Sequence, residues 1–262
     1  MKASLRARAG SAAGAVAPAN RLIEAADRAL APMIVLFGSP GSGKGTQAQL
    51  LHERFGWGHV STGDMLRCHI ARADKIGLAV EGLLRTGRLV SDELVNDMVE
   101  HRLAEPDSQS GVILDGYPRT VGQAEVLLGL IANHRFRAAV VHLLVDHGRI
   151  VARLSGRRQC PLCGTLYSNK THPPKVPGIC DLDGKTLVTR EDDREEVIRQ
   201  RLNEYERQTR PVLDFFRHSG VPMIETQGAS KMPEEIMRSM CGALSEAGLI
   251  AASSVPNVNV AS

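Results

Sequence analysis

A short apolar run, residues 33–37, ends at Gly38 and opens directly into Gly38-Ser-Pro-Gly-Ser-Gly-Lys-Gly-Thr46. A strand that turns through glycines into a helix leaves backbone N–H groups free to face an anion, and the helix adds the positive end of its dipole. Gly41, Gly43 and Gly45 permit the tight path around Ser42, and Lys44 has the reach to meet terminal phosphates. The general pattern G-x4-G-K-[ST] is met by Gly38, Gly43 and Lys44, but Gly45 stands where most such loops place a magnesium-binding hydroxyl, and Thr46 follows it. The competing reading is a glycine-rich turn with an incidental lysine. Four glycines around one lysine, directly after a strand, disfavour it.

The rest of the chain supplies the frame such a loop needs. Further apolar runs at 112–114 and 138–145 alternate with helical stretches at 91–103 and 120–132. Alternation of that kind predicts a parallel sheet with helices on both faces. At 262 residues the chain is long enough to bury a core without disulfide staples. Its apolar runs are too short to span a bilayer, so no membrane partner is expected. The net charge of +3 lies entirely in residues 1–32, where five basic residues face two acidic ones. With aromatic residues at 3%, a stacking nucleic-acid platform is not expected either. Residues 1–32, rich in Ala, Ser and Arg, are expected to be a disordered leader or the product of a misassigned start, with an organelle transit peptide as the sharper alternative. The stretch from 156 to 190 breaks the α/β pattern with four Pro, four Gly and three of the five Cys, which predicts a small inserted module with a metal site in a reducing compartment. The small, polar stretch 249–262 is expected to be a flexible tail.

The loop's Gly45 departure, together with Ser61-Thr-Gly-Asp-Met-Leu-Arg67, Gly87-Arg-Leu-Val-Ser-Asp-Glu-Leu-Val95, Asp115-Gly-Tyr-Pro-Arg-Thr120 with Gln123, Arg153-Leu-Ser-Gly-Arg157, Thr189-Arg-Glu-Asp-Asp193 and Arg199-Gln-Arg-Leu-Asn-Glu-Tyr205, resembles the adenylate kinases of the long-lid bacterial type. The resemblance runs from about Met33 to Leu244. It implies a domain over 33–248 with an α/β P-loop kinase core, a parallel sheet flanked by helices, an AMP-binding insert near 61–90 and a lid near 156–193. The implied reaction is Mg·ATP + AMP ⇌ 2 ADP. The acceptor is an already ionised phosphate oxygen, so positioning and positive charge matter more than a general base.

Carried over residue by residue, the resemblance makes Lys44, Arg119, Arg157, Arg190 and Arg201 the catalytic cations, with Arg67 beside them on the AMP phosphate. Gly41, Ser42, Gly43, Gly45, Thr46 and Arg153 fall on the ATP phosphates, and Leu166, Tyr167 and Ala229 flank the same nucleotide. Thr62 and Gln123 match contacts to the AMP base; Arg88, Leu89, Val90, Gly116, Tyr117 and Pro118 match the wall of that pocket. Asp64 and Asp115 match carboxylates that hold Mg2+ through water, which would let Gly45 replace the hydroxyl. Cys160-Pro-Leu-Cys163 followed by Cys180-Asp-Leu-Asp183 has zinc-knuckle spacing, and three thiolates with one carboxylate are a sound Zn2+ set. Members of the family carry such a zinc in the lid, which implies a structural metal. Cys68 and Cys241 are expected to be plain core residues, and Arg194, Arg199 and Arg207 solvated partners of nearby acids. A monomer in the cytoplasm is expected. The rival readings are a GTP:AMP phosphotransferase, a UMP/CMP kinase (disfavoured by the long lid) and a zinc-ribbon nucleic-acid-binding module.

Overall fold

The computed structural model describes residues 30–168, 172–228 and 232–256; the expected leader over 1–32 and the expected contact at Ala229 lie wholly or mostly outside them. Strand β1 (Ala31–Phe37) begins two residues before the predicted Met33 and pairs in parallel with β3 (Val112–Asp115) on one side and β4 (Phe136–Leu144) on the other. The edges are β2 (Gly58–Ser61) and β7 (Met223–Gln227), so the sheet order is β2-β3-β1-β4-β7, all parallel.

The continuous apolar runs follow from burial on both faces. Met33, Val35 and Phe37 point into one layer, where Val95, Val99, Leu127, Val212 and Phe216 meet them. Ile34 and Leu36 point into the other, against Ala48, Leu51, Ile236, Met240 and Leu244. The first layer is built by helices α4 (Asp92–Leu103), α5 (Val121–Asn133) and α8 (Pro211–Ser219), and the second by α1 (Lys44–Phe55) and α9 (Pro233–Glu246). Thr120 caps α5, its Oγ1 accepting from the Gln123 N–H at 3.1 Å.

Two excursions leave this body. Between β2 and α4, helices α2 (Thr62–Arg72) and α3 (Lys75–Arg85) form a tight corner. Asp74 caps α3 and also takes the His69 Nδ1 at 2.6 Å. A Cβ on Gly77 would stand 2.2 Å from the His69 carbonyl oxygen, so α3 can approach α2 only with glycine there. Gly77→Ala is expected to push the corner apart, at a cost of about 1–3 kcal/mol or more, read as a lower melting temperature. The second excursion follows α6 (His147–Ser155). It comprises β5 (Arg157–Gln159) and β6 (Leu166–Ser168), paired antiparallel, and returns through a short 3-10 turn (Glu191–Asp193) to α7 (Glu195–Glu204). A π-turn, Tyr205–Thr209, joins α7 to α8.

Two expectations fail. Cys68 is exposed, because α2 buries only Thr62 and Leu66, whereas Cys241 is a core residue as expected. Of the flexible tail expected over 249–262, residues 249–256 dock on the body, and 257–262 lie outside the described residues. Leu249 is buried, Ile250 and Val255 join the second layer, and Arg54 donates to the Ser254 carbonyl at 2.6 and 3.1 Å. Three apolar side chains among small ones suffice to dock the segment. Among the described residues, no helix is long and apolar enough to cross a membrane.

Candidate active site

All five strands of a parallel sheet end on one edge, and ligands gather outside it. Gly38 follows β1, Thr62 follows β2, Asp115 closes β3, and Gly228 follows β7. The glycine loop turns over this edge into α1. Lys44 Nζ donates to the carbonyls of Gly38 and Ser39 at 2.8 and 3.0 Å and reaches Ser42 Oγ at 3.5 Å. Burial pulls its pKa down to about 8, with Arg119, Arg201 and Arg157 adding to the fall and Asp115 opposing it.

Around the lysine stand the predicted arginines. Arg119 Nε donates to the Gly116 carbonyl at 2.8 Å, which also accepts from Thr62 Oγ1 at 2.8 Å. Arg67 donates to Asp64 Oδ1 at 2.6 and 3.2 Å, and Arg190 Nη2 reaches the same oxygen at 3.3 Å. Arg157 makes a two-pronged pair with Asp193 at 2.5 and 2.7 Å. Arg201 forms an ion pair with Asp192, Nη1 to Oδ2 at 2.9 Å, and donates to the Asp192 carbonyl at 3.1 Å. Cations this close and this dry depress one another: burial first, then Arg67 and Arg157, bring Arg190 to about 9, while burial and Arg157 bring Arg201 to about 10. Burial works against the charge of Asp64, but Arg67 and Arg190 outweigh it and hold the carboxyl at about 2.

Asp192 and Asp193 were not singled out from the sequence, although the Glu-Asp-Asp run directly after Arg190 is a readable signal. They pair with Arg157 and Arg201. Arg194, Arg199 and Arg207 sit outside the site, exposed and paired with Glu191, Glu195 and Glu204, as expected.

The second excursion lies against the glycine loop. Leu166 Cδ1 comes within 3.4 Å of the point where a Cβ on Gly45 would stand, and Arg153 Nη2 within 3.6 Å of that point on Gly43. Arg153 also donates to the Gly228 carbonyl at 3.3 Å. The Tyr167 side chain turns into the module. Its ring is buried with Cys160, Cys180 and Leu187, and its hydroxyl accepts from the Asp181 N–H at 2.8 Å. Alternation along β6 sends its side chain to the module's own core, so only its backbone can meet a ligand beside Leu166.

Asp115 Oδ2 lies 3.3 Å from the Cβ position of Gly45. A carboxylate thus fills the corner that a hydroxyl at 45 would occupy, and its hard oxygens suit Mg2+ with retained waters. Burial alone would raise this carboxyl, but facing His59 and Lys44 holds it below its ordinary range. Asp64 fits less well, since its Oδ1 is already committed to Arg67 and Arg190. Gln123 is buried, with the Tyr117 hydroxyl 3.1 Å from its carbonyl; Val90 and Pro118 are buried too, whereas the Arg88 side chain is exposed and its N–H bonds to the Leu83 carbonyl at 2.9 Å.

The cysteine cluster assembles as its spacing predicts. The sulfurs of Cys160, Cys163 and Cys180 and a carboxylate oxygen of Asp183 lie within 4.8 Å of one another. Two turns of one design present them. Cys160 N–H bonds to Thr165 O at 3.0 Å and Cys180 N–H to Lys185 O at 2.8 Å, and Gly164 and Gly184 close each turn with φ of +75° and +72°. Asp183 therefore stands in one turn where Cys163 stands in the other. The Cys163–Cys180 sulfur separation of 3.5 Å is close to the roughly 3.8 Å edge of a tetrahedron with 2.3 Å metal–sulfur bonds. The four residues could hold a metal ion.

The profile of the family described as Adenylate kinase matches residues 36–221. A protein named Adenylate kinase from Anaeromyxobacter sp. (strain Fw109-5) is 43% identical over 206 residues, covering 78% of this chain and 95% of that one. One of the same name from Chloroherpeton thalassium is 44% identical over 207 residues, again 78% and 95%. The Listeria innocua protein of that name is 44% identical over 188 residues, 71% of this chain and 87% of its own length.

Proposed function

Since the chain belongs to the adenylate kinase family, we propose that the cations gathered around its glycine loop carry out that family's transfer, each in its own place. The protein is a phosphotransferase that moves a phosphoryl group between ATP and AMP, giving ADP. The observation that carries the assignment of roles is the convergence of Lys44, Arg67, Arg119, Arg157, Arg190 and Arg201 on one edge of the sheet.

Lys44 and the loop N–H groups of 41–46 take the β- and γ-phosphates of ATP. Arg153 approaches from the end of α6 and Arg157 from the lid, 156–193, and Leu166 covers the loop against water. Arg67 and Arg119 hold the AMP phosphate from the insert side, with Thr62 and Gln123 against its base. Arg190 and Arg201 stand between the two phosphates, where charge builds as the group moves. Before substrate arrives, Asp64, Asp192 and Asp193 keep these guanidinium groups in place, and the phosphates displace the carboxylates. Mg2+, when bound with ATP, neutralises its phosphate oxygens, and Asp115 is the carboxylate placed to hold it through water. In the lid, Zn2+ held by Cys160, Cys163, Cys180 and Asp183 has a structural role. Five cysteines with no disulfide among them fit a reducing compartment such as the cytoplasm.

A coupled assay with AMP and a panel of ATP, GTP, CTP and UTP tests the reading. ATP is expected to lead, and equal rates with GTP would count against it.

The depressed cations give a pH signature. Burial lowers the Lys44 pKa to about 8, and a bound phosphate favours the protonated ammonium. Nucleotide binding near pH 8 is therefore expected to take up protons at Lys44, and affinity is expected to fall as pH rises above 8. Calorimetry in two buffers of different ionisation heat measures the uptake; proton release instead would contradict the placement of Lys44.

A further inference from the structure

The Gln123 side chain is only 2% exposed, and its amide is held from both ends. Its Oε1 accepts the Arg119 backbone N–H at 2.8 Å, and its Nε2 donates to Asp92 Oδ1 at 2.8 Å. Neither partner can reverse its role, because a peptide N–H only donates and a carboxylate only accepts. Turning the amide over would set Oε1 against the carboxylate and Nε2–H against another N–H. Asp92 is itself fastened: Thr120 Oγ1 donates to its Oδ2 at 2.6 Å while capping α5 through the Gln123 N–H. The Tyr117 hydroxyl lies 2.7 Å from Asn96 Oδ1 and 3.1 Å from the Gln123 carbonyl and shares its one proton between them.

We infer that Asp92 is a specificity-determining positioning residue, which with the Arg119 N–H fixes the Gln123 amide in the one orientation that accepts a 6-aminopurine monophosphate and rejects a 6-oxopurine. The inference rests on Gln123 facing the AMP base. An amide has two N–H groups and two lone pairs, and the observed bonds use one of each. What remains is one donor on Nε2 and one acceptor on Oε1. Adenine offers N1 as acceptor and its 6-amino group as donor, which matches. Hypoxanthine and guanine offer N1–H as donor and O6 as acceptor, and in the same pose each meets a like group. A free amide would flip to suit them; this one cannot without losing both anchors. Asp92 opens α4 and passes from sequence alone as an ordinary acidic residue of a first helical turn.

The test compares acceptors with ATP as donor. In the wild-type enzyme the order of kcat/KM is expected to be AMP, then purine ribonucleoside monophosphate, then IMP. The purine nucleotide keeps the N1 acceptor and merely lacks the 6-amino group, whereas IMP sets donor against donor and acceptor against acceptor. IMP is expected at least about tenfold below the purine nucleotide. A freely flipping amide would reverse that order, since it could make two hydrogen bonds to IMP and one to purine, and IMP at or above purine overturns the inference without any variant. Asp92→Asn, folded and with unchanged KM for ATP, is expected to narrow the AMP:IMP ratio at least about tenfold. A purely structural Asp92 would lower all acceptors together and leave the ratio alone, which also overturns the inference. Gln123→Ala separates the two levels. If it changes neither the KM for AMP nor the acceptor ratio, the base contact itself is wrong. If it changes them while Asp92→Asn does not, only the lock is wrong.

Discussion

Lys44→Met and Arg119→Ala are each expected to lose most of the turnover while the protein stays folded. Both remove charge from the point where the phosphoryl group moves, and a single arginine acting on that transition state can be worth about 10³–10⁵ in rate. The fold should tolerate both changes for reasons visible around the side chains. Lys44 is a charge that burial already disfavours, since its pKa falls to about 8, and methionine keeps the straight chain without that cost. Arg119 gives up its bond to the Gly116 carbonyl, but Thr62 Oγ1 still donates to that oxygen. The check is a coupled assay on purified variants beside a melting curve. Near-normal kcat in a variant that melts like the wild type would remove that residue from the transfer site.

The second large effect concerns the lid metal. One zinc per chain is expected, and its removal should loosen residues 156–190 far more than it alters the phosphate chemistry. The lid's own core among the described residues is Cys160, Tyr167, Cys180 and Leu187, two of which are the proposed ligands. So few apolar groups cannot hold a module of this size, and a metal centre takes the place of a core. Structural zinc supplies about 10–16 kcal/mol in isolated finger peptides; less is available here, because the lid is tethered to a folded body. A net loss of about 3 kcal/mol would lower the melting temperature by roughly 6–12 °C for a domain of this length. Asp183→Cys should keep the metal, since Asp183 already stands where the matching turn has Cys163, whereas Cys163→Ser should weaken it. Metal analysis of protein grown with ample zinc decides the matter: well below one equivalent would exclude the site.

The arginines and the glycine loop were legible because their signals are local. A loop between strand and helix needs glycines at fixed offsets, and an arginine within a conspicuous block stands out whatever surrounds it. The metal-ligand pairs, Cys160 with Cys163 and Cys180 with Asp183, were legible for the same reason, each lying in a four-residue turn. The direction of the Tyr167 ring was not legible, because β6 is too short for its alternation to announce which side chain enters the module. Asp192, Asp193 and Asp92 escaped notice because an acid near arginines along the chain is ordinarily a surface partner, as Glu195 is to Arg199.

By itself the sequence determined the alternation of the three central strands with helices, the phosphate loop, the metal-ligand spacing and the set of candidate cations. Each is written in residues within a few positions of one another, where propensity and backbone geometry act directly. Tertiary structure alone decided which carboxylate each arginine meets, that Asp115 fills the corner left by Gly45, that 249–256 docks on the body, and that Gln123 is held between Arg119 and Asp92. Those outcomes depend on groups far apart in the chain, such as Arg190 with Asp64 and Arg54 with Ser254. Their partners are chosen by packing and burial, after the local elements have formed.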